Sequence, residues 1–561
     1  LYSASAKSDS IRYSYRINGF IPVQDTINYI TDTAYAYTYD PQSNLLDSIA
    51  LAPAFNLTLF DNINQPSLAT DTFDVWNPYF RPVYDTLADT LITNVLVKLF
   101  TTKILEIDSI TFINTKLFNR PSLWFENEVF LNSTFPINPP SIGVATFDGL
   151  DSTGYPYNFA NPVAYGLADK LSSKFLNLGI PLGPNDSIVL SFYCQPKGLG
   201  NTPESTDSLV LDFKQPNGTW SHVWSLPGRN LIFPDTLFQK VKISIKAGSQ
   251  YLYNGFQFRF KNYATLSGNV DHWHLDYVTL KKVSLPQDTV VRDIAFVYPA
   301  QSMLKDFQAI PYSQFVPSMM KDKVRNSIVN LNTVTENFQS YTYSVTDNDA
   351  NVVYNYPNAG SQNIPSYQNG YYSFAPHTNP PVNFVYPDSG RCKDFTITHA
   401  LAIAGLPGTD QINSNDTVRF VQHLTNYFAY DDATAESAYG LVQSGAQGAL
   451  AFTLNTTDTM NAVYIYFNPS VFNASDKVFR LRIWNDAGGI PGAVIYQSQK
   501  VFSPTYARII NGFLRYELDS GIQLSGKFYV GWFQSTANEL NIGLDKNTNN
   551  GDKLFFNIGS G

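Results

Sequence analysis

Residues 271–280 read DHWHLDYVTL, with two histidines and two aspartates inside six positions. In an extended chain successive side chains point to opposite faces. His272, His274 and Asp276 therefore share one face, and Trp273, Leu275 and Tyr277 the other. The second set is apolar or aromatic and reads as the core side of a half-buried strand. The first set is then expected to face solvent or a groove. A His-x-His-x-Asp row would hold Zn²⁺ if a neighbouring strand supplied another ligand. No H-E-x-x-H pair and no cysteine cluster supports that chemistry. The stretch reads instead as the last strand of a β-sandwich that closes near residue 284.

The surrounding chain has the same character. SIVLSFYCQP (187–196), SLVLDFKQP (208–216), KVKISIKAG (240–248), FQFRFKNY (256–263), AVYIYFNP (462–469), FRLRIWND (479–486) and KFYVGWFQ (527–534) alternate or run apolar over short spans. Gly, Pro, Asn or Asp bounds each of them, which is the punctuation of strands. Helical periodicity is nearly absent. Residues 302–324 would hold a turn or two of helix, broken at Pro311 and Pro317. The expected fold class is all-β, with tandem β-sandwich domains of jelly-roll and Ig-like kind.

Of the 561 residues, 44% are apolar and only 15% charged, with 36 Tyr and 40 Phe. Aromatic and β-branched residues suit a pleated surface. The net charge of −9 with no basic run argues against nucleic acid as a partner. No window is apolar for long enough to make a membrane-spanning helix. Cys194 and Cys392 lie far apart and are expected to be two lone buried thiols. Four regions are expected: a β-rich stretch of uncertain fold over 1–115, a jelly-roll sandwich over 116–284, an Ig/fibronectin-like sandwich over 285–427 and a second jelly-roll-like sandwich over 428–561.

The closing strand fits the loose pattern W-x-[IL]-D-x-V-x-[LV] through Trp273, Leu275, Asp276, Val278 and Leu280. ATFDGLDSTGYPY, WSHVWSLPG and the later FAYDDATAESAYG and FRLRIWNDAGGIPGAVIY occur in a matching order. In this, residues 116–561 resemble the MAM/concanavalin-like modules of large Bacteroidetes surface proteins. The resemblance implies export by the type IX secretion system and a place at the outer cell surface. Residues 1–115 fall outside it, and the sorting domain expected of such cargo is not in the chain. A component of the secretion or gliding machinery would lack one.

Asp followed by Ser or Thr and then Ala, Ile, Leu, Met, Thr or Val occurs fourteen times, where composition predicts about two or three. The pattern resembles a Bacteroidetes O-glycosylation sequon, with Ser10, Thr26, Thr33, Ser48, Thr86, Thr90 and Ser109 as candidate acceptors. The competing reading is a strand that starts straight after a turn.

Asp148, Asp151, Asp271 and Asp276 lie near expected sandwich ends and are candidates for a structural calcium, which takes six to eight oxygens. Asp431, Asp432 and Glu436 form a second acidic group, expected to be a solvated turn. Glu126, Glu128 and Asp148 are the carboxylates to consider for glycoside hydrolysis. No nucleophile elbow or triad is present. Trp76, Trp124, Trp220, Trp224 and Tyr253 would stack on sugars if exposed, although core packing is the commoner fate of such rings.

These features predict a non-enzymatic, extracellular binding or adhesion protein. Its partners would be proteins at the cell surface or a polysaccharide. The alternatives are a structural subunit of a surface assembly, including a homo-oligomer, and a polysaccharide-binding accessory or hydrolase.

Overall fold

The computed structural model describes residues 123–559 except 230–234, 285–289, 339, 358–360, 368–378, 389, 403–411, 471 and 508–510. Of residues 1–122 it describes six short strands. Two compact units divide at residues 105 and 106. In the first unit, strands Ser10–Ser14 and Thr72–Trp76 pair antiparallel, as do Ala34–Asp40 and Leu45–Leu51.

The second unit is a series of β-sheets, which bears out the all-β expectation. Its first part is a sandwich. One sheet runs in spatial order Gln239–Lys246, Ser187–Pro196, Trp273–Val283, Val144–Phe147, Phe130–Asn132. Strand Ser109–Phe112 also pairs with Trp273–Val283. The facing sheet runs Trp220–Pro227, Ser208–Lys214, Phe258–Thr265, Tyr165–Ser172. Phe192 meets Phe260 edge-on between the sheets, with ring centroids 4.9 Å apart.

The middle part is a five-stranded sheet in the order Ala309–Pro311, Thr417–Thr425, Lys393–Ala402, Ser340–Asp347, Val352–Tyr356. The segment broken by Pro311 and Pro317 forms two short 3₁₀ turns, Tyr312–Gln314 and Pro317–Met319. The last part is another five-stranded sheet, built on the long partners Gln447–Ile465 and Leu514–Gln534. Cys194 is buried and Cys392 exposed, and both are free.

Several of the Asp-Ser/Thr pairs start strands. Ser187, Ser208 and Thr417 each open one. Asp186 and Asp207 do this by one device: each carboxylate accepts from the backbone N–H three residues earlier, at Gly183 and Glu204. Of the candidate glycan acceptors, Ser10 and Ser109 open strands and Ser48 lies inside one. Thr26, Thr33, Thr86 and Thr90 lie outside the described residues.

The closing strand corrects two expectations. His272 and His274 are fully buried and do not face solvent. Tyr277 does not share the inter-sheet core with Trp273 and Leu275. The pairing with Ser187–Pro196 slips between Ser191 and Tyr193, and Tyr277 takes a left-handed φ of 46°. The extra residue is a β-bulge. It turns Tyr277 onto the outer face beside Tyr193, where it packs with Val291, Ala295, Val297, Val329 and Leu331 of the middle part. The apolar positions 273, 275, 278 and 280 are spaced two, three and two apart, which is that bulge written in sequence.

Buried polar contacts among the described residues join the parts. Tyr277 Oη donates to Asp293, which also accepts from Asn415 Nδ2 at 2.7 Å. Asn269 donates through its backbone N–H to Pro469 O (2.8 Å) and through Nδ2 to Asn468 Oδ1 (3.1 Å). Gln314 is fully buried between the middle and last parts. Its Oε1 accepts from the backbone N–H of Asn455 (2.9 Å) and of Thr456 (3.2 Å).

Candidate functional site

The histidines come first, because their ring nitrogens decide whether a metal is feasible. His272 Nδ1 accepts from the Asn201 backbone N–H at 2.8 Å, and its Nε2 donates to Asn269 Oδ1 at 2.7 Å. His274 Nε2 donates to Lys197 O at 3.0 Å, and its Nδ1 accepts from Thr146 Oγ1 at 2.9 Å. Each neutral ring has one lone pair, and here each is already engaged. Burial holds both imidazoles neutral, lowering His272 to about 3 and His274 to about 4. A zinc site on this pair is therefore not available. The neighbouring loop is shaped to the rings: a Cβ on Gly198 (φ +58°) would sit 2.6 Å from His274 Nε2, and one on Gly200 2.5 Å from the His272 ring.

The four candidate calcium carboxylates have separate settings. Asp276 accepts from the Ser141 backbone N–H (3.0 Å) and from Ser141 Oγ (3.1 Å), and burial pushes it up to about 8. Asp148 accepts from Leu150 N–H at 3.0 Å and is likewise pushed to about 8 by burial. Asp151 folds a turn by accepting from the backbone N–H groups of Thr153 and Tyr155. Asp271 alone gathers others: its carboxylate, Glu204 and Asp207 offer oxygens within 4.8 Å of one another. Burial raises Asp271 to about 8 and Asp207 to about 6, because adjacent carboxylates in a poorly solvated site cannot all ionise without a counter-charge.

The second acidic group is not a solvated turn. Glu436 is buried, accepting from Thr434 Oγ1 at 2.8 Å and from Lys546 N–H at 2.8 Å. Two of the three carboxylates considered for glycoside hydrolysis, Glu126 and Glu128, are edge caps. Glu126 accepts from Ser172 N–H (2.6 Å) and Glu128 from Lys170 N–H (2.9 Å), covering donors of an edge strand.

Of the aromatic candidates, Trp124 is buried, and Trp224 packs edge-on against Phe192. Trp76 ends a described strand, and its side chain lies outside the described residues. Tyr253 Oη donates to Lys214 O at 2.8 Å. Trp220 is partly exposed and belongs to the outer face of the four-stranded sheet.

Register builds that face. Asp212 stands opposite His222 on one side and Arg259 on the other, and the next row holds Val210 and Lys261. Ser208 and Tyr263 follow, with Leu167 beside Tyr263. Asp212 is almost wholly covered and is held by both Arg259 and Lys261, each at 2.8 Å. The Arg259 guanidinium lies 4.2 Å from the Trp220 ring centroid, and Lys261 Nζ 5.4 Å from that of Tyr263. Tyr165 and Leu167, 50% and 42% exposed, complete the far end. There Tyr165 Oη donates to Thr206 O at 2.6 Å, next to the Glu204–Asp207–Asp271 group. The opposite sheet's outer face is covered by the middle part at Tyr277. On the four-stranded face exposure is greatest at the far end, at Tyr165 and Leu167.

This face was not legible as a site, because Asp212, Arg259 and Lys261 come together only through strand register. Its signal was the alternation of charge in FRFKNY and the single charge in SLVLDF.

No family model matches the chain, and no curated protein matches it. Among solved structures it is similar to the glycoside hydrolase domain of Endo-D from Streptococcus pneumoniae R6, at 7% identity and TM-score 0.20, over 56% of this chain and 43% of that one. A Parabacteroides merdae β-glucuronidase matches at 13% identity and TM-score 0.20, over 60% of this chain and 39% of that one. The N-terminal CBM22 tandem domain from Paenibacillus barcinonensis matches at 9% identity and TM-score 0.20, over 80% of this chain and 96% of that one. The chain thus spans well under half the length of the first two structures. At these scores the likenesses carry no weight for function. Among the described residues no helix is long and apolar enough to cross a membrane.

Proposed function

We propose that this chain is a non-enzymatic extracellular binding protein whose first sandwich holds a polysaccharide on its open four-stranded face. The carrying observation is the row of Trp220, Arg259, Asp212, Lys261 and Tyr263, held in order by ion pairs and ring contacts. Sugars are recognised by aromatic rings flanked by fixed polar groups, and a pre-ordered face loses little entropy on binding. Export by the type IX route to the cell surface rests on the resemblance of residues 116–561 and belongs to the same proposal.

On a glycan array the full chain is expected to bind one family of polysaccharides without cleaving it. Trp220→Ala is expected to weaken that binding by about tenfold, the scale of one lost aromatic contact at a binding surface. Product release from a bound glycan would contradict the non-enzymatic reading, and an empty array would contradict the whole of it.

The proposal includes a structural calcium at Glu204, Asp207 and Asp271. Three carboxylates are a donor set suited to a hard cation. Millimolar Ca²⁺ is expected to raise the melting temperature by ~3 °C or more, and Asp271→Asn to remove that response. A melting temperature indifferent to Ca²⁺ would mean that the three groups share protons instead.

A further inference from the structure

We infer that the Trp220 end of the open face recognises an anionic polysaccharide, one bearing carboxylate or sulfate groups along its length. This rests on the glycan-binding reading of the face and narrows it to a ligand class.

The chain as a whole is acidic, at −9. This end of the sheet is the reverse. Lys170, Lys174, Lys214, Arg259 and Lys261 stand against Asp212, Glu126 and Glu128. The carboxylates are already engaged. Asp212 lies between Arg259 and Lys261, Glu128 pairs with Lys170 at 3.3 Å, and both oxygens of Glu126 accept from Ser172.

Lys174 and Lys214 form no salt bridge among the described residues. Each sits on aromatic rings, and Lys214 Nζ also donates to Gln257 Oε1 at 2.8 Å. Lys174 Nζ is 3.7 Å from the Phe125 centroid, and Lys214 Nζ is 5.4 Å from that of Phe175 and 5.7 Å from that of Trp220. Phe125 and Phe175 are themselves in edge contact at 5.7 Å, so the two ammonium groups are linked by a continuous ring surface. Phe125 is 41% exposed.

A ring face supports a cation without consuming its N–H donors, so beyond the bond from Lys214 to Gln257 the remaining ammonium donors can meet an incoming anion. Half-burial lowers Lys174, and the nearby Glu126 carboxylate offsets part of that shift. A neutral sugar would give these lysines nothing to pair with, whereas a uronate or sulfate ester on a sugar stacked at Trp220 or Phe125 would. Repulsion from the rest of the acidic chain is screened beyond ~8 Å at physiological salt, so the local sign governs.

The test measures binding of the full chain to polygalacturonate, dextran sulfate and neutral xylan by calorimetry at two salt concentrations. The expected result is binding to an anionic polymer that weakens with salt. It should fall about tenfold or more in the Lys174→Gln/Lys214→Gln double variant and also weaken in Trp220→Ala. Lys242→Gln, on the other sheet, should bind as the parent does. Preference for polygalacturonate over dextran sulfate identifies the carboxylate as the group read, and the reverse identifies sulfate. Equal binding of xylan, untouched by the double variant, overturns the anionic class and leaves the glycan-binding face standing. Polyanion binding indifferent to Trp220 and to both lysines overturns it as diffuse attraction. Binding to none of the three polymers overturns the inference together with the reading beneath it.

Discussion

Replacing Tyr277 by Ala is expected to lower the free energy of unfolding by about 3–5 kcal/mol, the range for removing a fully buried aromatic ring. The ring is 1% exposed and packs with Val291, Ala295, Val297, Val329 and Leu331 across the joint between the first sandwich and the middle sheet. Its hydroxyl donates to Asp293, itself buried and also held by Asn415. The Ala variant therefore opens a cavity and removes a donor from a buried carboxylate together. Tyr277→Phe separates the two effects: the ring stays and only the hydrogen bond goes, for about 1–3 kcal/mol. Urea unfolding followed by tryptophan fluorescence gives both numbers. A Tyr277→Ala midpoint close to the parent's would mean that this joint carries little of the stability.

The second large effect is pH dependence, with slopes of opposite sign on the two sides. Burial lowers His274 to about 4 and His399 to about 3, against ~6.5 in an unfolded chain. Their folded forms are neutral, so the stability they permit is complete above pH ~6.5 and is lost as pH falls through the folded values. Each contributes a loss on the order of 3 kcal/mol once fully titrated. Asp148 and Asp276 run the other way. Burial raises both to about 8, so their contribution is complete below the unfolded value of ~3.9 and is lost as pH rises through 8. The melting temperature is expected to peak between pH ~4 and ~6.5 and to be higher at pH 5.5 than at pH 9. His399→Gln should flatten the acid side and Asp148→Asn the alkaline side. A maximum at pH 8 or above would show that these groups are not held as the structure has them.

Much of the architecture was legible because strands announce themselves locally. Alternation in SLVLDFK and FRFKNY separates Leu209, Leu211, Phe213, Phe258 and Phe260, all buried, from the charges between them. Trp273 and Leu275 were placed correctly by the same rule. The rule failed at Tyr277, where a bulge restarts the alternation. The two-three-two spacing holds that information, but it has meaning only once the partner strand is known. Burial of His272 and His274 was hidden for a different reason. Their partners Asn201 and Lys197 lie over seventy residues upstream, and Asn269 is itself oriented by Asn468. A polar side chain reads as exposed until a distant element supplies its hydrogen bonds. The calcium candidates were chosen for lying near expected sandwich ends, whereas Asp271 is brought beside Glu204 and Asp207 only by the fold.

The joint at Asn269 has a consequence for how the molecule comes into being. Its acceptors, Asn468 and Pro469, lie some two hundred residues downstream, and the strand beginning at Trp273 also pairs back to Ser109–Phe112. A polypeptide delivered from its N-terminus cannot close the first sandwich until residue 283 has emerged. It cannot seat that sandwich against the last sheet until nearly two hundred more have followed. Long-range closure of this kind is slow and leaves apolar strand edges waiting in the meantime. The chain should therefore acquire resistance to protease late and abruptly. Nested fragments ending before residue 283 should remain cleavable at the 197–201 loop, which the complete chain packs against both imidazoles.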